Sequence, residues 1–193
     1  MNQVNVTAKV ASKFTFSHEI MKEKFYNVIL ESQRISGAID IIYAQVSERI
    51  FDVSQDLSGE VVSITGTYRS YNKERPNGLK SILILFADEI KLVQVGSENN
   101  IELDGFICKE PIFRNTKTNR RVTELLVACN RSNTKKSDYF PVITWGRNAD
   151  YASELRVGDH ISITGRIQSR DYEKNDTTYT VNEISVYSIG LTE

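Results

Sequence analysis

Cysteine and histidine are scarce in this chain of 193 residues, at two each. Cys108 and Cys129 share no metal-ligand spacing, so they read as a reduced pair of small hydrophobes rather than a zinc site or a disulfide framework. Besides His18 and His160 there is no serine or cysteine in a nucleophile motif, and no carboxylate cluster at metal-ligand spacing. The chain therefore reads as a non-enzyme with no cofactor and no metal. No apolar stretch approaches the ~18 residues of a membrane span, and the opening Met-Asn-Gln-Val-Asn is not a signal peptide. An excess of one charge is missing as well. Lys+Arg and Asp+Glu number 11 and 11 over residues 1–97, then 13 and 14 over 98–193. Neither half is a generic polycation, so nucleic-acid binding would have to come from a local stripe of charge.

What is present is an ordinary globular composition, 40% apolar and 25% charged. That is enough for two modest cores in domains of ~100 residues each. The chain repeats itself at nearly that period. Gly59-Glu60-Val61-Val62-Ser63-Ile64-Thr65-Gly66 recurs as Gly158-Asp159-His160-Ile161-Ser162-Ile163-Thr164-Gly165, and a serine follows each second glycine at equal distance, Ser70 and Ser169. Upstream, Val4–Val10 aligns with Ile101–Ile107. Two copies of one domain, 1–97 and 98–193, are joined near 96–100.

Each copy reads as β-rich. Val4, Val6, Ala8 and Val10 alternate with polar residues, as do Ile101, Leu103, Gly105 and Ile107, and a period of two marks a half-buried strand. Further strands are predicted at 25–31 and 122–129, and at 39–46 and 139–145. Short helices follow at 47–57 and 148–155. The repeated Ser-Ile-Thr-Gly lies in the fourth strand of each copy, and the fifth strands run over 81–92 and 177–189. Three strands, a helix and two strands is the order of a five-stranded Greek-key OB barrel. The predicted class is all-β, two such barrels in tandem, each with a short helix between strands three and four. Gly59 and Gly158 then fit helix caps, and Gly66 and Gly165 fit sharp bends in a long strand.

The second copy carries Gly-Phe-Ile-Cys-Lys-Glu-Pro-Ile-Phe-Arg, Val-Ala-Cys-Asn-Arg, Tyr-Phe-Pro-Val-Ile-Thr-Trp-Gly and Gly-Arg-Ile-Gln-Ser-Arg-Asp-Tyr-Glu in that order. Over residues 105–174 it resembles the bacterial single-stranded DNA-binding protein family. The first copy matches the family mainly through its alignment with the second. The resemblance implies an OB fold, sequence-tolerant binding of single-stranded DNA and assemblies of four OB domains, here a homodimer. It also puts Tyr139 and Trp145 where the family has stacking or core-flanking aromatics, and Tyr172 where it often has a base-stacking one. Two departures stand out: no aromatic in the loop 130–138, and no acidic tail ending in proline and phenylalanine after Ile189. Partners recruited through such a tail are not expected.

Binding single strands needs cations along the phosphates and flat side chains on the bases. Arg114, Lys117, Arg120 and Arg121 cluster in the hairpin between strands one and two, Arg131, Lys135 and Lys136 in the next loop, and Arg166, Arg170 and Lys174 along strand four and its turn. These are ten of the thirteen basic residues of that half. The blander reading makes them solvated hairpin tips. Tyr139 and Tyr172, each beside an aspartate, read as exposed stacking platforms; Trp145 fits a barrel wall equally well. In the first copy Arg69, Tyr71 and Lys73 hold comparable positions, but Glu19, Glu23 and Glu74 interrupt its loops. His160, opposite Val61 in the repeat, reads as a strand-surface residue.

The expected function is binding and protection of single-stranded DNA in replication, recombination or repair, in the cytoplasm of a bacterium or with a mobile element. RNA remains open, since only contacts to the 2′-hydroxyl discriminate. The rival reading is an OB-fold protein-interaction module of a primosome or recombination assembly, which the neutral charge would suit.

Overall fold

A computed structural model describes residues 1–75, 78–131, 134–174 and 177–192; at 73–75, 78–80, 172–174 and 177 it describes the backbone alone. The chain is nearly all β. In order it forms β1 (Asn2–Val10), β2 (Thr15–Ile20), β3 (Glu23–Gln33), β4 (Ile39–Ser47), β5 (Val61–Arg75), β6 (Gly78–Val93), β7 (Asn99–Ile107), β8 (Ile112–Asn115), β9 (Arg121–Asn130) and β10 (Ser137–Trp145). The helix α1 (Arg147–Ser153), β11 (His160–Lys174) and β12 (Thr177–Leu191) complete it. Among the described residues no helix is long and apolar enough to cross a membrane.

Two compact units result. One comprises 3–100 with 168–182, the other 1–2, 101–167 and 183–193. The outer half of the β11–β12 hairpin thus packs with the first copy. In that first unit β1 pairs antiparallel with β5 (Val6↔Ile64) and, at its far end, with β3 (Val10↔Leu30). β5 pairs β6, β6 meets β4 in parallel at Ala44↔Leu85, and β4 pairs β3, so five strands close into a ring. The period-two pattern decides what fills it: Val4, Val6, Leu30, Ile42, Ile64 and Leu85 are fully buried. The second unit repeats the ring. β7 pairs β11 (Leu103↔Ile163) and β9 (Ile107↔Val127), β9 pairs β10, and β10 meets β12 in parallel at Val142↔Ile184. Leu103, Ile107, Val127, Phe140, Ile161 and Ile184 fill this core.

Two short strands lie beyond the anticipated order. β2 and β8 each fold back along the outside of the next strand, as the far arm of a hairpin. The β2–β3 turn uses Met21 and Lys22, both at positive φ (49° and 64°), which matches the twist that a two-residue hairpin turn requires.

The helix expected over 47–57 does not form, and this corrects the reading of a helix in each copy. β4 ends at Ser47 and turns lead to β5. Asp52 Oδ1 accepts from the Ser54 amide at 3.1 Å and hydroxyl at 2.6 Å, and Asp56 Oδ1 from the same groups of Ser58 at 3.1 and 2.7 Å. Such bonds give the backbone an alternative to the helical ladder. In the second copy Ala149 and Ala152 turn inward, and the Thr123 hydroxyl donates to the Ala149 carbonyl at 2.7 Å. Cys108 and Cys129 are free thiols, and burial pushes Cys129 up to about 12.

The paired glycines act as bends. A Cβ on Gly66 would come within 2.0 Å of the Phe86 carbonyl oxygen, and one on Gly165 within 2.5 Å of the Ser185 oxygen. In β5 the bend coincides with a register shift between Thr65 and Gly66. Gly66→Ala and Gly165→Ala should each lower stability by about 1–3 kcal/mol through forced backbone displacement. Urea unfolding checks this: unchanged midpoints for both variants would show that the strands can shift freely at these positions.

Candidate nucleic-acid interface

The outer face of the second unit is built on β9 and β10. Residues directly opposite on neighbouring strands share a face, and Tyr139 stands opposite Ala128, with Pro141 opposite Leu126. Inward-facing Phe140 is fully buried, whereas Tyr139 is 48% exposed and Trp145, at the other end of β10, 36% exposed. The alternation of one strand thus turns both aromatics outward about 20 Å apart, at ~3.3 Å per residue. Lys135 and Lys136, exposed on the β9–β10 turn, adjoin the Tyr139 end. Across β9, β8 adds exposed Ile112, opposite Glu124 on the same face.

The basic residues divide sharply. Arg131 grips buried Asp138 through two nitrogens, Nε at 2.8 Å and an Nη at 2.6 Å. Arg121 pairs with Asp150 on α1, and Arg114 with Glu124 on β9 (Nε at 3.1 Å). Lys117, Arg120, Lys135 and Lys136 are exposed, with no side-chain ion pair among the described residues. Arg166, half-buried on β11, belongs to the same unit. Arg69, Tyr71 and exposed Arg170 belong to the first unit, where the Arg69 guanidinium lies 3.8 Å from the centre of the Phe86 ring, a cation–π contact. The side chains of Lys73, Tyr172 and Lys174 lie outside the described residues.

Two features escaped the sequence reading of this site. The first is the role of Ser169. Its amide donates to Asp40 Oδ1 at 2.7 Å, its hydroxyl accepts from the Ile41 amide at 2.8 Å, and Asn182 Nδ2 donates to the Ile41 carbonyl at 2.6 Å. Asp40 is fully buried and also held by Arg34, Nε at 2.7 Å. This clamp fixes the outer half of the β11–β12 hairpin in the first unit. The signal was there: Arg34 and Asp40 recur as Arg131 and Asp138, as Ser70 recurs as Ser169. The second is Phe106, exposed on β7 opposite both Ala128 and His160. It lies in the Gly-Phe-Ile-Cys segment that carries the family resemblance, but nothing in that segment marked it as a binding residue.

Comparison with known proteins adds a separate line. A model of the Single-strand binding protein family matches residues 98–192. The "Single-stranded DNA-binding protein 2" of Streptococcus agalactiae serotype V is 33% identical over 101 residues, covering 49% of this chain and 77% of that protein. The "Single-stranded DNA-binding protein" of Clostridium tetani is 36% identical over 86 residues, covering 42% of this chain and 59% of its own. Among solved structures, the wild-type single-stranded DNA binding protein from Thermus aquaticus superposes with a TM-score of 0.80 at 18% identity, over 100% of this chain and 93% of that one. That likeness is one of fold.

The division among arginines and lysines has a measurable consequence. Arg131→Ala would leave the Asp138 carboxylate buried without its fork, at a cost of about 3–5 kcal/mol. Arg120→Ala, at an exposed position, should change stability by less than ~0.5 kcal/mol. Equal midpoints for the two variants in urea unfolding would return Arg131 to the surface charges.

Proposed function

The chain belongs to the single-strand binding protein family, and on that premise we propose that it binds single-stranded DNA without base specificity and shields it in replication, recombination or repair. The observation that carries this reading is the outer face of β9–β10, where Tyr139 and Trp145 are exposed on one strand and Lys135 and Lys136 stand at its turn. Aromatic faces stack on any base, and ammonium groups follow the phosphates whatever the sequence. Lys117 and Arg120 extend the cationic rim at the β8–β9 turn. Arg166 supplies a further contact in the second unit; in the first unit, taken by itself, Arg69, Tyr71, Lys73, Arg170, Tyr172 and Lys174 are the candidates. The ion-paired Arg114 and Arg121 contribute less, and Arg131 acts by holding its loop. The role is one of binding, not catalysis.

The two strand rings support tandem OB barrels, domains 1–97 and 98–193, with 168–182 of the second packed on the first. Two chains would bring four such barrels together, and a cytoplasmic setting suits the function. The competing role, a protein-interaction module, draws on the pairing of Arg114, Arg121 and Arg131 with carboxylates. It predicts no affinity for free single strands.

Titration with oligo-dT, oligo-U and duplex DNA at several salt concentrations separates these readings. Oligo-dT should bind with an affinity that falls linearly on a log–log salt plot, and duplex should bind much more weakly. Replacing Lys135 and Lys136 by alanine should reduce the slope by about 0.7 for each phosphate that is no longer neutralised. Tyr139→Ala should weaken binding by ~1–3 kcal/mol with the slope unchanged. Failure of oligo-dT to bind at low salt would overturn the proposal, and preference for oligo-U would redirect it to RNA.

A further inference from the structure

A row of residues crosses four strands of the second unit on its outer face: His160 on β11, Phe106 on β7, Ala128 on β9 and Tyr139 on β10, each directly opposite the next. The rings of Phe106 and His160 are stacked, with centroids 4.4 Å apart and planes 14° from parallel. Directly paired residues stand side by side at about 4.5–5.5 Å, so rings stacked at this distance rise from the sheet with their planes along the strands. One face of Phe106 is thus covered by His160. The other looks over Ala128 towards Tyr139.

Ala128 makes that gap usable. In the register of the row Ala128, with its methyl group, stands between two aromatics that are two strand spacings apart, about 9.5 Å. Since a base stacks at ~3.4 Å from each flanking ring, this leaves room for one base. Gly105 keeps the floor tight: a Cβ there would come within 2.6 Å of the Ala128 carbonyl oxygen. His160 is tied to the Asp104 carboxylate through Nε2, which fixes the ring that backs Phe106. The Ala128–Tyr139 pair lies two residues from the Asn130–Ser137 pair that closes onto the turn with Lys135 and Lys136, so cations for the flanking phosphates are adjacent. The matching row of the first copy is Val61, Lys9, Glu31 and Ile41, with no aromatic in it.

We propose that Phe106, backed by His160 and facing Tyr139 across Ala128, forms a slot that takes a base of single-stranded nucleic acid, extending the β9–β10 face onto β7. This rests on the single-strand binding reading above and names a residue pair that it did not contain. Continuity with the Tyr139 face, and the lysines beside it, favour a nucleic acid over a second protein chain as occupant.

The test is an oligo-dT titration followed by the fluorescence of Trp145, the single tryptophan, with anisotropy of a labelled oligonucleotide as a second readout. Phe106→Ala should weaken binding between fivefold and a hundredfold, and Phe106→Trp should restore it. Ala128→Leu, which fills the slot and leaves Phe106 in place, should weaken binding comparably; circular dichroism and an unchanged unfolding midpoint establish that each variant is folded. Wild-type affinity in folded Phe106→Ala and Ala128→Leu, with Tyr139→Ala impaired, would overturn the slot and leave the β9–β10 reading standing. Wild-type affinity and slope in every variant, Tyr139→Ala included, would overturn both. A change in solution mass on Phe106→Ala without a change in affinity would assign the patch to a second copy of the chain and reject the proposal.

Discussion

Each ring of strands closes through a narrow seam. Among the described residues, β1 meets β3 at two residue pairs, Lys9↔Glu31 and Val10↔Leu30, and β7 meets β9 at two, Phe106↔Ala128 and Ile107↔Val127. A strand that follows β5 or β11 along most of its length and meets the next strand of its ring only at its tip has to bend. The long strands β5 and β11 bend with it, at glycines where a side chain would strike the neighbouring backbone. If the seam failed to close, the main-chain groups at these strand tips would be left unpaired. Closure also decides which outer side chains become neighbours, and the Phe106↔Ala128 pair is at once a seam pair and part of the outer face.

Charge is distributed by the same logic of burial. Among the described residues, the lysines and arginines of the second unit that meet carboxylates are all arginines, whereas Lys117, Lys135 and Lys136 stand exposed at the turns, with Arg120 beside them. The planar fork of arginine matches a carboxylate at two points and is weakly hydrated, so it can follow Asp138 into the interior; a lysine ammonium is held more strongly by water. A neutral total charge is therefore compatible with a cationic rim. Arg131 is committed to structure, the charges of Arg114 and Arg121 are partly offset by surface carboxylates, and the lysines at the turns keep their charge for solvent or for phosphate.

The copies have diverged where packing leaves them free to do so. The inward positions of β1 and β7 are equally apolar, because both rings need filling. The outward positions are not alike: Lys9 and Glu31 stand in one where Phe106 and Ala128 stand in the other. Between strands the difference reaches secondary structure. Asp52 and Asp56 tie the first copy into turns, while the alanines of the second allow a short helix.

Among the described residues, ten of the twelve strands fall where the sequence places them, and for β1 and β7 the alternation of apolar and polar residues also told which side turns inward, since a period of two is imposed locally by the pleat. The repeat and its glycines were equally legible, and so was the neutral balance of charge. The fate of each cation was not. Arg114, Arg121 and Arg131 find Glu124, Asp150 and Asp138 at separations of 10, 29 and 7 residues, and nothing in local spacing says which carboxylate will lie within reach. Nor could periodicity show that Phe106 and Tyr139 flank the same alanine. Alternation fixes the face of a residue on its own strand, but neighbours across strands are set by register, and register is decided only when the ring closes.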